Sequence, residues 1–125
     1  MPGKKKILIV EDDPRSLKLQ RGLLEYAGYE VIAAGSAEFG IPLAKANLPE
    51  LIIMDHRLPG INGEQAIRIL MADEKTKNIP VVFVTASVMG EDKKKLESYH
   101  FRVITKPINT RTFAQEIEEV LNGAR

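Results

Sequence analysis

The chain has 125 residues, with 18 lysines and arginines against 17 aspartates and glutamates, and it contains no cysteine. This length fits one domain, and a net charge of +1 argues against a general polyanion binder. The composition excludes disulfides, thiolate metal sites and cysteine nucleophiles, and no apolar run approaches the roughly 18 residues of a membrane span. We therefore expect a cytoplasmic domain with no membrane contact and no direct nucleic-acid contact.

Short apolar runs recur along the chain. They occupy residues 7–10, 31–34, 51–54, 81–84 and 101–104. Most are rich in β-branched residues and apolar at successive positions, which is typical of strands buried on both faces. Because stretches with helical periodicity separate them, the sequence predicts an α/β fold with a five-stranded parallel sheet and helices on both faces. We expect the domain to span residues 6–122, between tails at 1–5 and 123–125.

Capping residues mark several predicted helix boundaries. Asp13 can cap the first helix, and Pro14 suits its first position. Asn62 and Asn109 are expected to cap the third and the last helix. Pro42 falls inside the second helix, at about 37 to 46, and removes one helical hydrogen bond there, so we expect that helix to be kinked or short.

Polar residues follow the predicted strands at the edge where doubly wound sheets bind ligands. They are Glu11, Asp12 and Asp13 after the first strand, Asp55 after the third, Thr85 and Ala86 after the fourth, and Lys106 after the fifth. Clustered carboxylates repel one another and favour a cation, and oxygen ligands favour Mg²⁺. Mg²⁺ and Lys106 together balance the charges of Glu11, Asp12 and Asp55, so the site can receive an anion such as a phosphoryl group. Asp13 is better explained as a helix cap than as a metal ligand.

Four segments, in order along nearly the whole chain, resemble the receiver domains of two-component response regulators, the family that includes the chemotaxis regulator. They are ILIVEDDP at 7–14, Met54-Asp55 followed by LPGING at 58–63, Val84-Thr85-Ala86, and Lys106-Pro107. The resemblance implies a single-domain, doubly wound (βα)5 fold of the flavodoxin-like type. It also implies a signalling switch with at most self-phosphorylation from small donors and self-dephosphorylation, not a metabolic enzyme.

The resemblance assigns a role to each acidic residue of the predicted site. Asp55 is implied to be the phosphoacceptor. Asp12 is implied to bind Mg²⁺ directly, Glu11 mostly through water, and the backbone carbonyl of Arg57 is implied as a further ligand.

The resemblance also implies phosphoryl-binding residues and partners. Thr85, the backbone of Ala86 and Lys106 are expected to contact the phosphoryl group, and Thr85 to shift when it arrives. A sensor histidine kinase or a histidine phosphotransfer protein is the expected donor. An unidentified downstream protein is expected to bind the face formed by a fourth helix, predicted at about 91–99, with the fifth strand and the last helix.

Three positions differ from the usual pattern of that family. Val103, three residues before Lys106, stands where an aromatic switch residue is common. Arg57, two residues after Asp55, is expected to overlook the site. The segment Tyr99–Arg102 is bulkier than the small turn of many receivers.

Other interpretations remain open from the sequence. The chain could be a receiver cut from a larger regulator or hybrid kinase. A haloacid dehalogenase-like phosphatase would want a second aspartate where Arg57 stands. A nucleotide or flavin module would want a glycine-rich phosphate loop, and the sequence has neither G-x-G-x-x-G nor G-x-x-x-x-G-K-[ST].

Overall fold

A computed structural model describes residues 3–86, 94 and 101–123, and these contain five parallel strands and four helices. We number the elements in chain order: β1 (Lys6–Val10), α1 (Pro14–Tyr26), β2 (Glu30–Ala34), α2 (Ala37–Asn47), β3 (Leu51–Met54), α3 (Gly63–Met71), β4 (Val81–Thr85), β5 (Arg102–Thr105) and α4 (Phe113–Leu121). The α/β fold predicted from the sequence is confirmed. The helix predicted at 91–99 lies outside the described residues apart from Lys94. No helix in the described part of the chain is long and apolar enough to cross a membrane.

The sheet has the strand order β2-β1-β3-β4-β5, and all its neighbours pair in parallel. In this register Val10 at the end of β1 lies beside Ala34 of β2 and Met54 of β3. The loops that follow continue the pairing, since the Asp55 amide donates to the Val10 carbonyl at 3.1 Å and the Lys106 amide to the Thr85 carbonyl at 2.9 Å. The carboxyl ends of four strands therefore meet at one edge.

Each face of the sheet carries its own buried core. Side chains alternate along β1, so Ile7 and Ile9 pack under α1 and α4, whereas Leu8 and Val10 pack under α2 and α3. Fully burying one such side chain stabilises the fold by about 1.5–3 kcal/mol. Burial on both faces explains why the strand sequences are apolar at successive positions rather than at alternate ones.

Most predicted helix caps are confirmed. The Asp13 carboxylate accepts from the Arg15 amide ahead of Pro14, and Asn62 forms a reciprocal capping box with Gln65. The prediction for Asn109 is wrong, because its side chain accepts from the Arg111 amide and closes a turn before the last helix begins.

The second helix is not shortened by its proline. It runs unbroken from Ala37 to Asn47 through Pro42, with the side chain of Ser36 accepting from the Phe39 amide at its start. The helix lies so close to β1 that a Cβ on Gly40 would stand 2.7 Å from Val10 Cγ2. Tight packing against the sheet thus outweighs the cost of one missing hydrogen bond.

Candidate functional site

An acidic cluster lies at the carboxyl edge of the two central strands. Glu11 and Asp12 follow β1, and Asp55 follows β3, its neighbour in the sheet. Carboxylate oxygens of these three residues lie within 4.8 Å of one another. Glu11 is 2% exposed and Asp55 is 7% exposed, whereas Asp12 is open to solvent. The structure thus assembles the acidic cluster that the sequence predicted.

Lys106 bridges two of these carboxylates from the end of β5. Its Nζ donates to Asp55 Oδ2 at 3.0 Å and lies 2.5 Å from Glu11 Oε1. The lysine side chain is itself 17% exposed. One cation is therefore shared between two nearly buried anions, and the exposed carboxylate of Asp12 adds a further negative charge.

The pKa values of Glu11, Asp55 and Lys106 reflect these ion pairs. Burial raises the pKa of Asp55, and the charge of Glu11 adds to the effect, so together they outweigh the hydrogen bonds from Lys106 and from the Arg57 amide. Burial also acts to raise the pKa of Glu11, but hydrogen bonds from Lys106, the Asp13 amide and Ser16 lower it overall. Burial acts to lower the pKa of Lys106, but its two carboxylate partners raise it. The site therefore holds Lys106 as a cation.

Thr85 ends β4 beside this cluster with an unsatisfied side chain. The residue is fully buried, and its Oγ1 has no hydrogen-bond partner among the described residues. A buried hydroxyl without a hydrogen-bond partner lowers the stability of the fold, and such groups are rare in native proteins. Ala86 follows it at the exposed edge.

Two of the three unusual positions have different surroundings, and the third, the segment at 99–102, lies partly outside the described residues. Arg57 is exposed, and its amide donates to Asp55 Oδ1 at 3.0 Å. Val103 is partly buried and packs against the core cluster that contains its sheet neighbour Phe83. Phe101 also lies against Phe83, with ring centroids 6.3 Å apart.

The sequence prediction missed two residues of α1 that contact Glu11. Ser16 Oγ donates to Glu11 Oε1 at 2.9 Å, and Gln20 Nε2 donates to the same oxygen at 3.2 Å. The signal was present in the spacing, since Ser16, Gln20 and the core residue Leu24 follow one another at i, i+4 and i+8. This spacing places Ser16 and Gln20 on the same helix face as Leu24, which indicates that the buried face of α1 is polar near its start.

An open cavity of about 410 Å³ adjoins the cluster between α1 and the loop after β5. Leu19, Pro107 and Ile108 give it apolar walls, and Asp13, Arg15 and Lys106 give it charges of both signs. The cavity provides direct access to the edge of the site from solvent.

The strand order, the acidic cluster and the bridging lysine define a doubly wound α/β domain with acidic and basic side chains gathered at one edge of the sheet. Comparisons with known proteins specify the class. The family model for the response regulator receiver domain matches residues 7–118. The polar-differentiation response regulator DivK of Brucella ovis is 37% identical over 125 residues, covering 96% of this chain and 98% of DivK.

Solved structures agree. A CheY-like response regulator receiver domain from Methanospirillum hungatei has a TM-score of 0.88 at 27% identity, covering 98% of this chain and 97% of its own. The receiver domain of sensor histidine kinase PA1611 from Pseudomonas aeruginosa has a TM-score of 0.82 at 25% identity, with 96% of each chain covered. The chain belongs to the response regulator receiver domain family. It is therefore a signalling switch of two-component systems rather than a metabolic enzyme of the phosphatase type.

Proposed function

We propose that Asp55 accepts a phosphoryl group from a phosphohistidine and that the chain acts as a phosphorylation-dependent switch. The observation that carries the proposal is the position of the Asp55 carboxylate, nearly buried between the acidic pair and the Lys106 ammonium at the edge of the sheet. We propose residues 6–122 as the receiver domain, a range that includes the family match and every described strand and helix.

We propose that Glu11, Asp12, Asp55 and the backbone carbonyl of Arg57 hold Mg²⁺. The donor set fits this ion, because all its ligands are oxygens and the carboxylate oxygens lie within 4.8 Å of one another. The PA1611 receiver domain has a magnesium ion coordinated in its active-site cleft, which supports the assignment. When bound, Mg²⁺ would offset the negative charge that otherwise repels a phosphoryl donor.

In the proposed reaction, an Asp55 carboxylate oxygen forms a bond to phosphorus while the phosphorus–nitrogen bond of phosphohistidine breaks. The electron pair of that bond returns to the imidazole nitrogen of the donor. Lys106 stays protonated and pairs with the phosphoryl oxygens, and the backbone N–H of Ala86 donates to them. These residues act by position and charge, as is usual for phosphoryl transfer.

The unsatisfied hydroxyl of Thr85 supplies the proposed switch. Because Oγ1 has no hydrogen-bond partner among the described residues, a phosphoryl oxygen on Asp55 would give it one. We propose that Thr85 moves to make that bond and that the surface of β5 and α4 changes its population of states as a result. Val103 has no ring to swing inward, so this part of the proposal depends on Thr85 and Lys106.

The proposed donor is a histidine kinase or a histidine phosphotransfer protein, since receiver domains work with such proteins. The cavity between α1 and the loop after β5 is lined in part by Lys106, whose ammonium contacts Asp55, and we propose that the donor docks there. Its apolar walls, Leu19 and Ile108, fit an apolar docking segment of the donor. The proposed downstream partner binds the face formed by β5, α4 and the segment predicted as the fourth helix.

The test is the intact mass of the protein after incubation with acetyl phosphate. We expect one phosphoryl addition that requires Mg²⁺, and we expect Asp55→Asn to abolish it while the far-UV circular dichroism spectrum stays unchanged. Asp12→Ala is expected to slow the addition by weakening Mg²⁺ binding. A donor kinase replaces acetyl phosphate if the small donor is inert. Phosphoryl addition to Asp55→Asn at the wild-type rate would contradict the assignment.

A further inference from the structure

A polar pair on the core-facing side of α1 holds the carboxylate of Glu11. Gln20 is 1% exposed, and its Nε2 donates to Glu11 Oε1 at 3.2 Å and to Ser16 Oγ at 3.0 Å. Ser16 Oγ in turn donates to the same Glu11 oxygen at 2.9 Å. Both N–H bonds of the amide and the hydroxyl proton are therefore directed into one small network.

The same orientation leaves the amide oxygen of Gln20 outside this network. Its Oε1 is buried and has no hydrogen-bond partner among the described residues. A methionine of similar volume would fill the position without leaving a polar atom unsatisfied. The sequence thus places a glutamine where packing alone favours an apolar residue. The hydrogen bonds that this glutamine makes among the described residues go to Glu11 and Ser16.

The network uses the two oxygens of Glu11 unequally. Oε1 receives donors from Ser16 and Gln20 and also lies against the Lys106 ammonium. Oε2 receives the Asp13 amide at 3.2 Å. Because Oε1 is occupied, Oε2 is the oxygen with acceptor capacity left for a cation or its bound water. The carboxylate cannot rotate without breaking several of these bonds.

We infer that Ser16 and Gln20 are positioning residues that fix the Glu11 carboxylate for cation binding, with Oε1 held by the protein and Oε2 presented to the ion. This inference rests on the proposed function, because it assumes that the acidic cluster binds Mg²⁺. Groups that orient a metal-binding carboxylate commonly change affinity by about 10- to 100-fold when they are removed. Neither residue touches the phosphoryl group, so their effect reaches the reaction through Glu11.

The test is calorimetric titration of the purified protein with Mg²⁺, run beside urea denaturation in EDTA. We expect Gln20→Met to raise the Kd for Mg²⁺ by about tenfold. We expect the urea midpoint of the same variant to stay close to that of the wild type, because the loss of its hydrogen bonds to Glu11 and Ser16 is offset by the removal of the unsatisfied Oε1. A residue that serves only packing would not separate these two readouts. Leu24→Met, one turn along the same buried face, is the matched control and should leave the Kd unchanged.

Ser16 provides a second, independent pair of variants. Ser16→Ala should weaken Mg²⁺ binding, and Ser16→Thr, which keeps the hydroxyl, should restore the wild-type Kd. If the wild type binds Mg²⁺ and both Gln20→Met and Ser16→Ala bind it equally well, the inference is overturned and the proposed function stands. If the wild type binds no Mg²⁺, the proposed cation site fails and the inference fails with it.

Discussion

Replacing Gly63 by alanine should press directly on the backbone that carries Asp55. Gly63 is the first residue of α3, and its amide donates to the His56 carbonyl at 3.1 Å. A Cβ at this position would stand 2.5 Å from the Asp55 carbonyl oxygen and 2.9 Å from His56 Cα. Both neighbours are main-chain atoms, so no side chain can turn aside to make room.

Two opposing effects set the magnitude of this change. Alanine reduces the conformational entropy of the unfolded chain, which stabilises by about 0.4–1 kcal/mol where the native backbone accepts it. Forcing a methyl group into a filled space costs about 1–3 kcal/mol. We expect Gly63→Ala to lower the free energy of unfolding by about 1–2 kcal/mol, the difference between these effects. The displaced Asp55 should also be phosphorylated more slowly.

Gly22→Ala is the matched control. Gly22 lies in the interior of α1 with nothing within 4 Å of the added Cβ, so this variant should gain about 0.5–1 kcal/mol. The measurements are urea denaturation followed by circular dichroism and the rate of acetyl phosphate labelling at a temperature where both variants are folded. If Gly63→Ala gains stability as Gly22→Ala does, the close approach of α3 to the Asp55 backbone is refuted.

Further predictions concern polar groups of the site and the core. Asp55→Asn should raise the free energy of unfolding at neutral pH in EDTA. Because the pKa of Asp55 is raised in the folded protein, the wild type loses stability as the pH rises through that pKa, and the variant, which has no carboxylate there, does not. Urea denaturation from pH 3 to 7 checks this, and a gain that does not shrink towards low pH would contradict it. Lys106→Met should cost about 2–3 kcal/mol in EDTA, since Glu11 and Asp55 lose a charged donor, and Mg²⁺ should recover part of the loss; an equal loss with and without Mg²⁺ would count against the shared site. Thr76→Val should cost about 1 kcal/mol, because Thr76 is 2% exposed and its hydroxyl donates to the Leu70 carbonyl at 2.6 Å; thermal unfolding measures it, and an unchanged midpoint would refute the bond.

The fold was predictable because its strands are buried on both faces, and strands of this kind are apolar at successive positions. The runs at 51–54 and 81–84 consist entirely of apolar residues, and such runs occur where helices cover both sides of a sheet. The strand-end acids and Lys106 were predictable for a related reason. Parallel strands deliver their carboxyl ends to one edge, so residues far apart in sequence gather there.

The errors arose where tertiary contacts or local alternatives decided the structure. Pro42 suggested a kinked or a short helix, and α2 is not short, because it gains more from packing on β1 than it loses at one hydrogen bond. Asn109 was a plausible cap, but its side chain is satisfied by a nearer turn. Gln20 was missed because its i, i+4 spacing places it on one face with Ser16 and Leu24 but does not identify its acceptor, Glu11, which lies nine residues away in sequence and is brought near by the fold.

The tether at Lys106 has a mechanical consequence for the last strand of the sheet. β5 has four residues and is an edge strand among the described strands, where it pairs only with β4. Edge strands of this length open locally more easily than central ones. Lys106, directly after β5, ties that edge to Glu11 and Asp55 on the far side of β4. A phosphoryl group or a cation bound at the site would compete with these ion pairs of Lys106. The hydrogen-exchange rate of the β5 amides should therefore change when Asp55 is phosphorylated.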